Sequence, residues 1–458
     1  MSSLGEESAP SAVAVDLGAT SVRYAAGKLQ GGRIGFEVVE QVPNEPVETE
    51  WGLVWRTETL SGICRRAEQR ALAEGGTLGI DSWGVDHGFV GANGELLQPP
   101  ACYRHALHQE VFEQMASLRA ELYALTGTQY QPFNTIYQLV ARARQRPELL
   151  STGVRWLILP ELMAHLLGAP AAHELTQAST TQLLGLDGKW SSRAFEVAGW
   201  PVPDAQPQPP GRIVGKTTGG AQIVRVGGHD TASAVCGIGP LAGHQAFLSI
   251  GTWSLLGVLL DRPLATSEAE SANFTNERAV DGRVRFLANI PGFYVINRLH
   301  EELGISAPIP EWLSGADRLV SERIDLMRPE LFAPESMLRA VRAQLRAEPE
   351  HESAWAGIAL LSLVDTTCEQ VELLSGVAGR DVTELRVAGG GSASEAFCRA
   401  LADRSGRLVS AGPQEATLLG NLAVQFLGQG AFSGFDELGA TVLRSVTLRT
   451  YEPSARVA

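Results

Sequence analysis

Two stretches in opposite halves of this 458-residue chain share one layout: an apolar run, a short turn of small residues, and a second apolar run. Residues 12–26 (AVAVDLGATSVRYAA) and 245–260 (QAFLSIGTWSLLGVLL) each read as a buried strand, a tight turn and a return strand. Turns of Gly, Thr and Ser let backbone amides approach an anion closely, so each half opens on a candidate phosphate hairpin. Alone, the Asp-Leu-Gly-Ala-Thr turn suits many proteins that bind no nucleotide. Its recurrence strengthens the phosphate reading.

At 458 residues the chain exceeds what one core usually organises, and two domains are expected. A hydrophobic share of 44% with 19% charged residues is that of a globular protein able to bury large cores. The formal charge of −14 argues against nucleic acid as a partner, because such proteins carry basic patches. Cys64, Cys102, Cys236, Cys368 and Cys398 are scattered without a CxxC pair or a Cys/His cluster. They read as reduced, buried thiols rather than zinc ligands. The first residues are acidic and polar, unlike a targeting segment, and residues 1–11 are expected to form a disordered lead. No apolar run reaches the roughly 18 residues of a membrane span, so a soluble, cytoplasmic protein with no membrane partner is expected.

Past the first hairpin, Leu78-Gly-Ile-Asp-Ser-Trp-Gly-Val-Asp86 reads as a strand ending in carboxylates, followed by helical patterns near 106–125 and 136–147. The Pro/Gly-rich stretch 201–220 reads as loop, and the boundary between halves falls near Pro240 to Gly243. In the second half a long helix is predicted over 352–378. After it, Leu385 onward reads as a strand, a triple-glycine turn and a helix, and 407–428 repeats that scheme around Gly412-Pro-Gln-Glu-Ala-Thr. Alternating strands and helices indicate α/β layers. The predicted division is 12–242, 243–440 and a tail at 441–458.

The candidate chemistry centres on Gly-Gly-His-Asp-Thr-Ala-Ser-Ala at 227–234. Asp230 stands among small residues with no neighbouring charge, a setting that lets a substrate approach and suits a general base better than a solvated cap. His229 either polarises a substrate oxygen or is packed with its ring nitrogens satisfied. Asp81 and Asp86 serve either as strand-end turn formers or as acid–base groups. Gly389-Gly390-Gly391 gains weight as an anion or nucleotide site only from the strand before it and the helix after it. No GxxxxGK[ST] loop and no dinucleotide fingerprint is present.

The motifs Asp16-Leu-Gly-Ala-Thr-Ser, Gly79-Ile-Asp-Ser-Trp-Gly-Val-Asp86, Pro132-Phe-Asn-Thr-Ile-Tyr-Gln-Leu139, His229-Asp-Thr-Ala-Ser-Ala234, Gly251-Thr-Trp-Ser254 and Gly412-Pro-Gln-Glu-Ala-Thr417 resemble, in this order, the carbohydrate kinases of the FGGY family. Thr126-Gly-Thr-Gln, Pro132–Leu139 and Thr180-Thr-Gln-Leu183 resemble the branch acting on L-rhamnulose. The resemblance runs from about residue 12 to 430. It implies an α/β, two-lobed, actin-like (ribonuclease-H-like) ATPase fold, the N-terminal lobe binding sugar and the C-terminal lobe nucleotide, with the active site in the interdomain cleft.

Carried over residue by residue, the resemblance implies ATP contacts at Ala19, Thr20, Ser21, Val22, Arg23, Thr252, Asn297 and Gly390. It implies sugar contacts at Gly84, His229, Asp230, Thr231 and Asn289, with Asp230 the catalytic base. Asp16 would help hold Mg2+ through water. The implied reaction is ATP-dependent phosphorylation of a ketose at its primary hydroxyl, most simply L-rhamnulose to L-rhamnulose 1-phosphate. The implied partners are the sugar and ATP, in a monomer or homodimer. The chain departs from the family pattern at Val22, where Gly is usual, at His105, where a carboxylate is usual, and at His87, where an apolar residue is usual. The last two are expected to alter the sugar side. A kinase for fuculose or another ketose or polyol, and a non-enzymatic, nucleotide-gated actin-like interaction protein, are the alternatives.

Overall fold

A computed structural model describes residues 9–332 and 334–454. Most of the expected lead, residues 1–8, lies outside the described residues; the chain enters the fold at Ser11, the first residue of the strand Ser11–Leu17. All seven residues of that strand are buried, as a strand covered on both faces requires. It pairs antiparallel with Ser21–Gln30 and parallel with Thr77–Ser82. The whole sheet runs Arg212–Lys216, Gln222–Arg225, Thr77–Ser82, Ser11–Leu17, Ser21–Gln30, Arg33–Pro43. The first of these strands falls inside the stretch read as loop, with its register shifted between Ile213 and Gly215.

Side chains alternate across the central strand. Val13, Val15 and Leu17 join one core with Leu60, Ile63, Cys64 and Ala67 of the helix Thr57–Glu74, whose apolar residues recur at helical spacing. A buried Leu or Ile of this kind contributes about 1.5–3 kcal/mol. Small residues line the sheet where the helix Ala416–Gly428 packs. A Cβ added at Gly27 would lie 2.7 Å from Leu422, and one at Gly79 would lie 2.6 Å from Asn421 Oδ1. The helix could not sit this close to larger side chains.

The other large sheet repeats the local plan. Gln245–Ile250 pairs antiparallel with Trp253–Leu260 and parallel with Glu384–Ala388. Six of its strands run in the order Val284–Pro291, Trp253–Leu260, Gln245–Ile250, Glu384–Ala388, Leu408–Ala411, Arg449–Tyr451. The helix Glu352–Ala378 has the predicted ends, and its buried residues cluster between Trp355 and Thr367.

The chain forms two compact units. One comprises the chain up to Pro240, Leu260–Phe286 and Ala416–Ser445; the other comprises Leu241–Leu259, Leu287–Glu415 and the chain from Val446. The linear division at 242 and 440 misses two returns. Leu260–Phe286 comes back because Tyr123 Oη donates to Phe274 O at 2.9 Å and Asn273 Oδ1 accepts from Tyr130 N at 2.8 Å. Ala416–Gly428 comes back to the small-residue positions of the first sheet. The segment read as a tail carries the end of the helix Phe435–Ser445 and the strand Arg449–Tyr451, which pairs with Leu408–Ala411; residues 455–458 of it lie outside the described residues. Among the described residues no helix is long and apolar enough to cross a membrane.

His87, expected on the sugar side, is core instead. Its ring meets Phe89 and Trp156 edge-on, with centroids 5.2 and 5.8 Å away, so it fills the space an apolar side chain would fill. Burial, then the charge of Arg142, lowers its pKa to about 3, and burial does the same at His108 and His173. An unfolded imidazole takes its proton near pH 6.5, before these folded ones do. Their contribution is therefore intact above that pH and is lost as pH falls toward about 3. His87→Leu is expected to reduce the fall in the urea midpoint between about pH 6.5 and about pH 4. An unchanged fall would show that this imidazole does not drive acid destabilisation.

Candidate active site

Three charges lie in one row across the first sheet, because Asp16 stands in register with Arg23 on one neighbouring strand and with Asp81 on the other. Arg23 Nε and Nη2 reach Asp16 Oδ2 at 3.0 and 2.9 Å. Asp81 is fully buried; its Oδ2 accepts from Asn421 Nδ2 at 2.6 Å and its Oδ1 has no hydrogen-bond partner among the described residues. Burial first, then the neighbouring Asp16 and more weakly Asp230, hold the Asp81 carboxyl well above the usual carboxylate range.

Asp230 is the first residue of the helix Asp230–Gly237, whose N-cap is His229. The preceding loop is pinned from several sides. Gly228 N donates to Glu174 Oε2 at 3.1 Å, His229 N to Thr176 Oγ1 at 3.1 Å, and Ser82 N to Gly228 O at 2.9 Å. Asp230 Oδ1 accepts from Thr231 Oγ1 at 3.1 Å and lies 3.4 Å from His229 Nε2. Burial raises the Asp230 carboxyl, the nearby His229 opposes that rise, and Asp16 adds to it. His229 is packed with its ring engaged, Nδ1 lying 3.1 Å from both Glu277 Oε2 and Arg285 Nη2. The small residues after Asp230 have a packing role not foreseen from the sequence: a Cβ at Gly237 would lie 1.9 Å from Ala416 O, and one at Gly420 would lie 1.8 Å from Ser233 O. Only glycine lets these two helices touch backbone to backbone.

Gly84 lies in a turn whose next residue, Val85, has φ 72°, a strained value for a β-branched residue. The turn is braced by Thr180 Oγ1 accepting from Val85 N (3.1 Å), Thr135 Oγ1 donating to Val85 O (2.6 Å) and Gln177 Nε2 donating to Trp83 O (3.0 Å). Asp86 accepts from Trp55 Nε1 (2.6 Å), Trp83 Nε1 (2.9 Å), Gln138 Nε2 (3.0 Å) and Tyr103 N (3.2 Å). Of its two readings the structural one fits, although burial lifts this carboxyl to about 6.

In the first hairpin Gly18 N donates to Ser21 O at 3.0 Å, and Asn44 bonds Gly18 O and Thr20 O, both at 2.9 Å. Ala19, Thr20 and Ser21 thus form a closed turn with Thr20 exposed. The side chain of Val22 is buried in the core beside Leu17 and stays out of the turn. Arg23 is engaged by Asp16.

In the second unit Gly251 and Thr252 form an exposed turn whose carbonyls accept from Phe293 N (2.8 Å) and Tyr294 N (3.1 Å). Asn297 is exposed on the helix Tyr294–Glu302, and Asn289 is half-buried on Val284–Pro291. The three glycines after Glu384–Ala388 differ. Gly389 has φ 79° and lies against Ile250 O, Gly391 packs on Ile250 and Phe293, and Gly390 faces open space. Among the described residues nothing lies within 4 Å of where a Cβ at 390 would stand.

Residues 246–428 match the FGGY family of carbohydrate kinases, C-terminal domain. The chain is 32% identical to a rhamnulokinase of Bacteroides thetaiotaomicron, covering 96% of this chain and 95% of the relative, and 31% identical to one of Klebsiella pneumoniae, covering 96% and 94%. The chain belongs to the FGGY family of carbohydrate kinases. Solved structures of a gluconate kinase and a xylulose kinase from Lactobacillus acidophilus match this FGGY kinase with TM-score 0.80 at 15% and 16% identity; they cover 98% and 97% of it, and each match spans 94% of the solved chain. An ADP-bound glycerol kinase from Plasmodium falciparum matches with TM-score 0.76 at 12% identity, over 97% of this chain and 95% of that one. The actin-like α/β class is theirs as well. Family membership sets aside the reading as a non-enzymatic interaction protein.

Four residues around the FGGY kinase site were not singled out in the sequence: Glu174, Glu277, Arg285 and Asn421. Arg285 is a charge inside the largely apolar strand Val284–Pro291, and Asn421 and Gln425 are polar residues one turn apart in an apolar helix, whereas Glu277 sits in the all-polar strand Thr275–Arg278. Those contrasts are the signal that was available. Glu174 lies in no such contrast.

His105, expected to replace a sugar-binding carboxylate, faces its own backbone. Its Nδ1 accepts from Leu107 N at 3.2 Å, capping the helix Ala106–Gln114, and a Cβ at Gly52 would lie 1.9 Å from its Nε2. An aspartate caps a helix equally well. His105→Asp is expected to keep stability while His105→Ala costs about 1 kcal/mol, with the order of kcat/KM among ketoses the same in both. A changed order would place the ring in the sugar site.

Proposed function

We propose that this FGGY kinase transfers the γ-phosphoryl group of ATP to the primary hydroxyl of L-rhamnulose, giving L-rhamnulose 1-phosphate. The carrying observation is Asp230: a carboxylate at a helix start, raised above the usual range and held by a loop bonded from several sides. A raised carboxylate takes a hydroxyl proton more readily than an ordinary one does. The substrate assignment draws on relatives that are rhamnulokinases along almost their whole length.

Asp230 is assigned as the base, and Gly84, His229, Thr231 and Asn289 as sugar contacts. The nucleotide is assigned to Ala19, Thr20, Ser21, Val22 and Arg23 in one unit and to Thr252, Asn297 and Gly390 in the other. The Ala19–Ser21 and Gly251–Thr252 turns are closed by backbone hydrogen bonds in the free protein, and a turn already fixed needs no rearrangement when charge develops on the phosphoryl oxygens.

Magnesium fits the residues present. Asp16 and Asp81 lie side by side, and Asp81 Oδ1 is a buried oxygen without a hydrogen-bond partner among the described residues, a fault that a cation or its water would repair. Mg2+ keeps most of its waters and takes one or two carboxylates, so a pair suffices. Asp16, through water as the resemblance implies, and Asp81 would hold it. When bound, the ion neutralises charge on the polyphosphate. Free cysteines, four buried and Cys368 half-buried, fit a reducing cytoplasm.

Asp230→Asn is expected to fold, bind ATP and lose about 10²-fold to 10⁴-fold in turnover, read by coupled ADP release over a panel of ketoses. Near-normal turnover by that variant would remove Asp230 as the base, and a best substrate other than L-rhamnulose would overturn the substrate while leaving a sugar kinase. Thr252→Val is expected to raise the KM for ATP much more than the KM for the sugar. The reverse pattern in the same assay would move the second hairpin to the sugar.

A further inference from the structure

Behind Asp230 stands a charged chain that the proposed reaction has not yet used. Arg285, on the strand Val284–Pro291, is 0% exposed, and Val284, Phe286 and Leu287 beside it are buried as well. Its Nε donates to Arg278 O at 3.0 Å, and its Nη2 lies 3.0 Å from Glu277 Oε2 and 3.1 Å from His229 Nδ1. Burying a guanidinium is costly, and an ion pair kept only for stability is often matched by apolar residues of similar size. The contact with His229 offers a reason for its presence.

Two groups compete at Nδ1 of His229. Glu277 Oε2, 3.1 Å away, only accepts while ionised; Arg285 Nη2, also 3.1 Å away, only donates. Their alignment differs. The guanidinium N–H points at Nδ1, whereas Glu277 Oε2 receives no aligned hydrogen bond and acts as a charge partner. A ring that accepts at Nδ1 carries its proton on Nε2, and Nε2 lies 3.4 Å from Asp230 Oδ1. Thr231 Oγ1 donates to the same oxygen at 3.1 Å. Oδ1 is thus the oxygen that accepts from Thr231 Oγ1 and faces the ring, which lies 3.4 Å away as a charge partner without an aligned hydrogen bond.

We propose that Arg285 is a positioning residue: by donating to His229 Nδ1 it holds the ring proton on Nε2, facing Asp230 Oδ1, and leaves Asp230 Oδ2 as the oxygen that takes the sugar's proton. The role in catalysis rests on the kinase reading above. As the sugar oxygen forms its bond to the γ-phosphorus, its O–H bond breaks and the proton passes to Oδ2. The bond from phosphorus to the bridging oxygen breaks at the same centre, and its electron pair leaves with ADP. Glu277 keeps the guanidinium in place by charge.

The first measurement needs no substrate. In protein labelled with 15N-histidine, long-range 1H–15N spectra, with the His229 signals assigned by their loss in His229→Gln, are expected to show a neutral ring protonated at Nε2. A ring protonated at Nδ1, or at both nitrogens, would overturn the proposal. The second measurement uses Arg285→Met combined with Glu277→Gln, so that no buried carboxylate is stranded. Its kcat is expected to fall by about 10-fold to 100-fold while the KM for ATP stays within about twofold, the pattern when a group orienting a functional histidine is removed. Arg285→Lys, which still donates, is expected to retain part of the rate. An undiminished kcat in a double variant that melts like the unmutated protein would contradict the role. Failure of the kinase reading looks different: the unmutated protein would then phosphorylate no ketose, whatever the ring spectrum shows.

Discussion

The first unit depends on keeping three carboxylates close together, Asp16 and Asp81 buried and Asp230 partly exposed. Like charges about 4 Å apart repel by about 4 kcal/mol at the effective dielectric typical of protein sites, so each needs a donor of its own. The register of the central strands places Arg23 beside Asp16. The helix Ala416–Gly428 brings Asn421 to Asp81, and the helix Asp230–Gly237 starts with its own Thr231 against Asp230. Those two helices meet backbone to backbone at Gly237 and Gly420, and small residues at Gly27 and Gly79 let the longer one reach the sheet. Glycine placement, in this view, sets where the donors stand, and the donors set which carboxylate remains basic.

Much of this was legible in the sequence, for reasons of local physics. The paired hairpins, the helix over 352–378 and the strands entering Gly84 and Gly389 all follow from periodicity and turn chemistry, which act between near neighbours. Asp230 stood out because nothing nearby explained a charge among small residues. The partner of Asp81 lies 340 residues away, and no periodicity encodes which distant segment returns to cover a strand. The same blindness explains the two missed returns of the chain, and why the small residues after Asp230 were read as room for substrate when they also serve a helix contact. His87 and His105 were read by their chemistry and not by their surroundings; one is core among aromatics and the other a helix cap.

Thr135, Gln138 and Thr180, which resemble the L-rhamnulose branch in sequence, are buried, and they brace the strained turn at Gly84 and Val85 or hold Asp86 in its tryptophan cage. Strain of this kind persists only where the surroundings over-determine it.

In the proposed reaction these carboxylates serve phosphoryl transfer to a sugar hydroxyl, with Asp230 taking the proton. 31P NMR of the protein with ATP, Mg2+ and L-rhamnulose tests this directly. A new phosphomonoester resonance is expected, split by the methylene protons of the phosphorylated carbon, that grows in step with ADP and is nearly absent with Asp230→Asn. Inorganic phosphate appearing in place of the ester, or the ester forming equally well without the Asp230 carboxylate, would contradict it.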